Sequence, residues 1–247
     1  MQSVLRSFRV LEAVAEQQPV GVAELARSLR LPTSSVQRIL VTLREAGWIA
    51  PTEDVQTRWM LTSRALAVGR KSVHGRSLTD AAAVPMRQLR DATQETVHLS
   101  VPDRTERMVI IDRVESEQAV QTYVPVGQSS PIHATASGRS VLAALPDAVL
   151  EEVIARGLVP MTDRALADPD RLREKVAEVR ADGYAVVIEE NRRHIWAIAA
   201  AVLDTRRRPV AAVAVSVPTL RHDEQLHIRW GRLVAETAAE IGAALRH

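Results

Sequence analysis

The stretch LPTSSVQRIL, residues 31–40, puts two kinds of surface on one short helix. Val36, Ile39, Leu40 and then Leu43 recur at three- and four-residue steps, as on a buried stripe. The other side carries Thr33, Ser34, Ser35, Gln37 and Arg38, and no acid follows until Glu45. Hydroxyls bond bases or phosphates, and the Gln amide and Arg guanidinium match adenine and guanine edges. Long acids on that face would be repelled by phosphates. Taken alone, the same face also suits a helix that is merely solvated, although such faces are usually rich in Glu and Lys.

The neighbouring elements decide between these readings. Val4, Leu5, Phe8, Leu11, Val14 and Ala15 keep helical spacing, and GlnGlnPro then breaks the pattern. Residues 21–29 form a short second helix. A bend at ArgLeuPro leads to the quoted helix, residues 31–46, which Gly47 terminates. Two apolar runs, 48–50 and 59–61, flank a polar turn as in a β-hairpin. Helix, helix, turn, helix and hairpin is the order of a winged helix-turn-helix, whose second motif helix enters the major groove. Arg58, just before the second hairpin strand, is placed to reach the DNA backbone or minor groove. The DNA-contact set is therefore Thr33, Ser34, Ser35, Gln37, Arg38 and Arg58.

Charge distribution agrees. The net charge is +2, but residues 1–76 hold 11 Lys and Arg against 6 Asp and Glu, while the remainder is net −3. Positive charge therefore sits at the amino end, as an element facing phosphates requires. The hydrophobic fraction of 46% argues against disorder. With aromatics at 3%, Leu, Val, Ile and Ala must fill the core. The absence of Cys excludes disulfides, thiolate catalysis and Cys-ligated zinc, and it fits a reducing compartment. The first residues do not read as a signal peptide, and no apolar run approaches the roughly 18 residues of a membrane span. The expectation is a cytoplasmic protein.

Residues 63–76 read as a helical linker, and residues 78–93 as a helix in which Pro85 introduces a kink or split. From Thr96 the pattern changes to strands at 96–101, 107–114 and 119–126. Helices are expected at 134–145, 147–155 and 168–180, then strands at 184–189, 195–203 and 210–217 and a closing helix at 223–245. This predicts a two-domain α/β (α+β) chain with a largely antiparallel carboxyl-terminal sheet. The domain boundaries are 1–62 for the winged helix, 63–76 for the linker and 77–247 for the second domain.

With both halves read, the chain resembles the isocitrate-lyase-regulator (IclR) family of bacterial transcription factors over nearly its whole length. The resemblance is carried by SVLRSFRVLEAVAE, VAELARSLRLPTSSVQRILVTLREAGWI, ETVHLSV, VGQSSPIHATASGRSVLAALP, VRADGYAV and EEN. It implies a GAF-like carboxyl-terminal domain that binds a small effector. It also implies homodimers, or dimers of dimers, on palindromic or near-palindromic double-stranded DNA. Repression is the commoner mode in the family.

Carried across by motif, the effector pocket has loop positions Ala136 and Ser137 and a strand position Thr122. On the far strands, positions that are often polar or reactive in the family are here Val187, His194, Ala197 and Ala214, with Ser216 retained. Ile195 lies on the same wall. A buried anion needs charge-assisted donors. On this wall the backbone amides at the start of the 135–145 helix are the donors left. The expected effector is therefore mainly apolar or aromatic, larger than glyoxylate, with at most one acidic group.

Other constellations carry less. His98, His133 and His194 lie in separate segments, and His222 and His227 are five apart rather than four. No metal-binding motif accompanies them, so neither metal nor cofactor is expected. Ser137 lacks the GxSxG context of a nucleophile elbow. Glu189 and Glu190, if on a strand, point to opposite faces and cannot act as a catalytic pair. ArgArgArg at 206–208 reads as a solvated turn. Catalysis is accordingly not expected. The competing readings are an architectural DNA binder without ligand response and, more remotely, an enzyme carrying a DNA-binding head. If the amino-terminal face meets phosphates, DNA affinity should fall about a hundredfold or more between roughly 50 and 200 mM salt. A flat profile in a fluorescence-anisotropy titration would exclude the helix-turn-helix reading.

Overall fold

The computed structural model describes residues 2–52, 56–69 and 75–245. The tip of the expected hairpin and the middle of the expected linker lie outside the described residues. The chain divides into two compact units, Met1–Arg76 and Ser77–His247.

In the first unit, α1 (Gln2–Gln17), α2 (Val22–Leu29) and α3 (Thr33–Glu45) pack with a two-stranded hairpin, β1 (Ile49–Pro51) and β2 (Trp59–Leu61), followed by α4 (Ser63–Gly69). Their shared core includes Val10, Val14, Leu25, Val36, Leu40 and Ile49. Local chemistry sets the sharp bend between α2 and α3. Arg30 adopts a left-handed conformation (φ 53°), and the amides of Arg30 and Leu31 cap the last turn of α2. Gly47, at φ 75°, ends α3, and the Trp48 amide bonds the Leu43 carbonyl. Val20 pairs with Trp59 through two backbone bonds, so the hairpin is fixed to the turn before α2.

The second unit is built on a six-stranded antiparallel sheet, in order β5-β4-β3-β8-β7-β6. Its strands are β3 (Thr96–Pro102), β4 (Arg107–Val114), β5 (Ser129–Pro131), β6 (Ala185–Ile188), β7 (Ile195–Leu203) and β8 (Pro209–Pro218). Strand alternation divides the sheet into two faces. Val97, Leu99, Trp196, Ile198, Val213 and Val215 face the core shared with α5 (Gly75–Thr93) and α9 (Gln225–Ala244). The opposite face presents small side chains, among them Ala199, Ala212 and Ala214, to α6 (Ala136–Ala143), α7 (Asp147–Ala155) and α8 (Pro169–Asp182).

Three expectations change here. The 119–126 segment is not a strand; Ser129–Pro131 pairs with β4 instead. Side chains rather than a ladder hold the segment: the Thr96 hydroxyl donates to the Thr122 carbonyl at 3.2 Å, and the Thr122 hydroxyl donates to the Ser216 carbonyl at 3.1 Å. Pro85, with buried Met86 beside it, does not split its helix, which runs from Gly75 to Thr93. Glu189 and Glu190 follow the end of β6 and occupy the β6–β7 loop, Glu189 at φ 58°.

That loop is tied down at every charged step. The Glu189 amide donates to the Ile195 carbonyl, the Glu189 carboxylate accepts the His194 amide at 2.7 Å, and it also pairs with Arg164. Glu190 receives a bidentate contact from Arg139 of α6, which is 1% exposed. Arg139 Nε in turn donates to the His133 carbonyl at 2.9 Å. The start of α6 lies so close to the preceding 3-10 turn (Ile132–Ala134) that a Cβ on Gly138 would stand 1.8 Å from the Ile132 carbonyl oxygen. Removing one partner of a buried pair strands the other charge. Glu190→Ala should therefore destabilise the second unit by about 3–5 kcal/mol, measured by chemical denaturation. Arg139→Met with Glu190→Leu should recover much of that loss.

Candidate nucleic-acid interface and ligand cavity

The exposed side of α3 results from its packing. Val36, Leu40 and Leu43 point into the core, which turns Thr33, Ser34, Gln37 and Arg38 outward and leaves Ser35 half-buried. None of these five side chains makes a hydrogen bond or ion pair among the described residues, although every one of them carries a hydrogen-bonding group.

Arg58, expected to reach the DNA backbone or minor groove, is engaged within the unit. Its guanidinium donates to the Glu24 carboxylate at 2.6 Å and to the Pro19 carbonyl at 3.0 Å. Glu24 also accepts the Gly21 amide at 3.1 Å. That backbone bond first, and Arg58 second, lower the Glu24 pKa below the usual carboxylate value. Arg58 thus clamps the hairpin to the start of α2 and positions the unit. Its partner, 34 residues away, carries no local sequence signal.

In the second unit, a cavity of about 90 Å³ opens between the sheet and the start of α6. Ala136, Ser137, Val187, Ile195, Ala197, Ala214 and Ser216 all line it. Thr122 does not; it is buried beside the wall with its hydroxyl engaged by the Ser216 carbonyl. His194 is also absent from the lining. Met108, Ile110 and Val124 add apolar surface.

The wall is more polar than expected. Polar groups that sequence reasoning missed line the same space: His98 and Ser100 from β3, Gln128 and Ser130, Thr135 at the start of α6, and Asn191 and Arg192 from the β6–β7 loop. His98 did carry a signal, since it alternates with Val97 and Leu99 and must face away from them. Arg192 sits in a loop, where no period reports direction. Burial, followed by the fields of Arg113 and Arg192, lowers the His98 pKa to about 4, so the imidazole is neutral near pH 7. At the helix end of the cavity, the Thr135 hydroxyl oxygen accepts the Gly138 amide at 2.9 Å, which removes one donor from the set expected there.

Several other histidines and serines among the described residues have partners of their own. His133 Nε2 pairs with the Val159 carbonyl at 3.2 Å, and Ser140 donates to the Ser137 carbonyl at 2.8 Å. His222 and His227 bring their Nε2 atoms within 3.1 Å over Trp196. No group of three or more His, Cys, Asp or Glu suited to a metal occurs among the described residues. Asp204 caps the 206–208 turn by accepting the Arg206 and Arg208 amides. Among the described residues, no helix is long and apolar enough to cross a membrane.

Comparison with known proteins places this arrangement. The IclR helix-turn-helix domain model matches residues 3–53, and the bacterial transcriptional regulator IclR carboxyl-terminal model matches residues 70–243. The transcriptional repressor IclR of Escherichia coli K12 is 30% identical over 247 residues, covering 99% of this chain and 90% of that protein. The crystal structure of Thermotoga maritima IclR superposes with a TM-score of 0.78 at 27% identity, covering all of both chains. An IclR homologue from Microbacterium hydrocarbonoxydans, complexed with 4-hydroxybenzoate, gives a TM-score of 0.83 at 23% identity, covering 99% of this chain and 98% of that one. With both family models matched in sequence order along one fold, the chain belongs to the IclR family of DNA-binding transcriptional regulators.

Proposed function

We propose that α3 reads the major groove through Thr33, Ser34, Ser35, Gln37 and Arg38, with Arg58 holding the hairpin in place. Residues 1–62 then form the DNA-reading domain, 63–76 the linker and 77–247 the effector domain. The observation that carries this reading is the exposed α3 face, whose five polar side chains have no partner among the described residues. Two copies, as a homodimer or within a dimer of dimers, place one α3 in each half of a palindromic operator. The protein works in the cytoplasm, where its DNA is.

The effector occupies the cavity between the sheet and α6. At about 90 Å³ it is smaller than the roughly 150 Å³ engineered cavity that takes benzene. A ligand of few heavy atoms fits it as it stands, and a single ring requires the walls to move outward. The relative bound to 4-hydroxybenzoate shows that this fold accommodates such a ring in another member. Binding shifts operator occupancy only as far as ligand affinity differs between the DNA-bound and released arrangements. As a repressor, like its E. coli relative, the protein would be released by an effector that favours the second arrangement.

The reading is tested on fragments recovered from the genome by the purified protein. Arg38→Ala should weaken binding to the recovered site by about 1–3 kcal/mol and flatten preference at one or two base pairs. An equal loss on random DNA would make Arg38 a phosphate contact, and no loss on either would remove α3 from the interface.

A further inference from the structure

The charges of the β6–β7 loop are unevenly matched. Glu189 pairs with Arg164, Glu190 with Arg139, and Arg193 with Asp163. Arg192 has no carboxylate partner among the described residues. Its guanidinium donates to the Tyr123 carbonyl at 3.2 Å and to Gln128 Oε1 at 2.9 Å, both neutral, and it lines the cavity half-buried. A lone cation on the wall of a confined space is the complement of an anion.

Beside it stands a second unmatched group. His98 is 5% exposed and lines the cavity, and its buried Nε2 has no hydrogen-bond partner. A buried polar atom left unpaired is costly, and a ligand that pairs it recovers that cost. The charged groups acting on His98 are Arg113 from β4 and Arg192 from the loop, while β8 places Ala214 opposite it. Arg113 is already engaged, with Glu115 at 2.5 Å and the Val124 carbonyl at 2.9 Å. The rest of the lining combines Val187, Ala197 and Ala214, which have no polar side-chain atoms, with the neutral side chains of Ser100, Ser130, Ser137, Asn191 and Ser216, so Arg192 is the cation that the cavity presents.

We infer that His98 and Arg192 together form the seat for a ligand carboxylate, so that the effector is a monocarboxylic acid held at β3 and the β6–β7 loop. The seat lies on β3 and the β6–β7 loop, away from Val187, Ala197 and Ala214 of β6, β7 and β8. The inference rests on the reading of this cavity as the effector site. A carboxylate beside His98 offsets the two arginine fields and raises its affinity for a proton. Acid binding is then linked to proton uptake and tightens as pH falls below neutrality.

Calorimetric titration of the full-length protein with propionate, benzoate and 4-hydroxybenzoate, beside propionamide and benzamide, tests this. At least one acid should bind about tenfold or more tightly than its amide. Arg192→Gln should erase that preference and Arg192→Lys should restore part of it, with thermal melting by circular dichroism showing each variant folded. Titrations in two buffers of different ionisation enthalpy should show proton uptake that His98→Leu removes. The acid–amide comparison stands on the unmodified protein and so does not depend on any variant folding. Equal affinity for acid and amide, or a preference that survives Arg192→Gln, overturns the seat and leaves the effector reading in place. Failure of all five compounds to bind at millimolar concentration overturns both.

Discussion

The buried contact between Arg139 and Glu190 organises the second unit around its cavity. Arg139 belongs to α6, which forms one rim, and Glu190 belongs to the β6–β7 loop, which carries Asn191 and Arg192 onto another. The same guanidinium holds the His133 carbonyl at the turn before α6, and Glu190 also accepts the Leu166 amide at 3.1 Å. One ion pair therefore fixes three segments that no strand ladder connects. Bidentate geometry matters here, because a planar fork fixes orientation as well as distance.

Small side chains create the space that this contact encloses. Ala197, Ala199, Ala212 and Ala214 occupy the α6 face of the adjacent strands β7 and β8, and Gly138 lets α6 descend onto the preceding turn. The other face of the same strands holds Trp196, Ile198, Val213 and Val215 against α5 and α9. Alternation thus assigns bulk to one side and room to the other. The close-packed side supplies apolar burial, and the open side is available for a ligand.

Sequence made some of this legible and hid the rest for physical reasons. The α3 face was readable because its apolar stripe follows one period and leaves Thr33, Ser34, Gln37 and Arg38 no way to point but outward. The apolar wall at Val187, Ile195, Ala197 and Ala214 was readable through family motifs and strand alternation. Arg58 was not, since its pairing with Glu24 joins segments far apart in the chain. Residues 119–126 have strand-like composition, but pairing is a non-local event, and hydroxyl bonds from Thr96 and Thr122 take its place. Part of the cavity's polarity was hidden because Gln128, Asn191 and Arg192 lie outside the strands, where nothing periodic reports direction, whereas His98 on β3 was readable from strand alternation.

The strand order has a further consequence. A six-stranded open sheet has two edges, and here they are β5, of three residues and ending in Pro131, and β6, of four. An edge strand offers unpaired amides and carbonyls as a template for another chain, and brevity and proline both blunt that template. The long, apolar strands β7 and β8 are interior and have both sides occupied. The sheet thus keeps its longest, most apolar strands in its interior and exposes only short edges, which limits strand-to-strand association between copies.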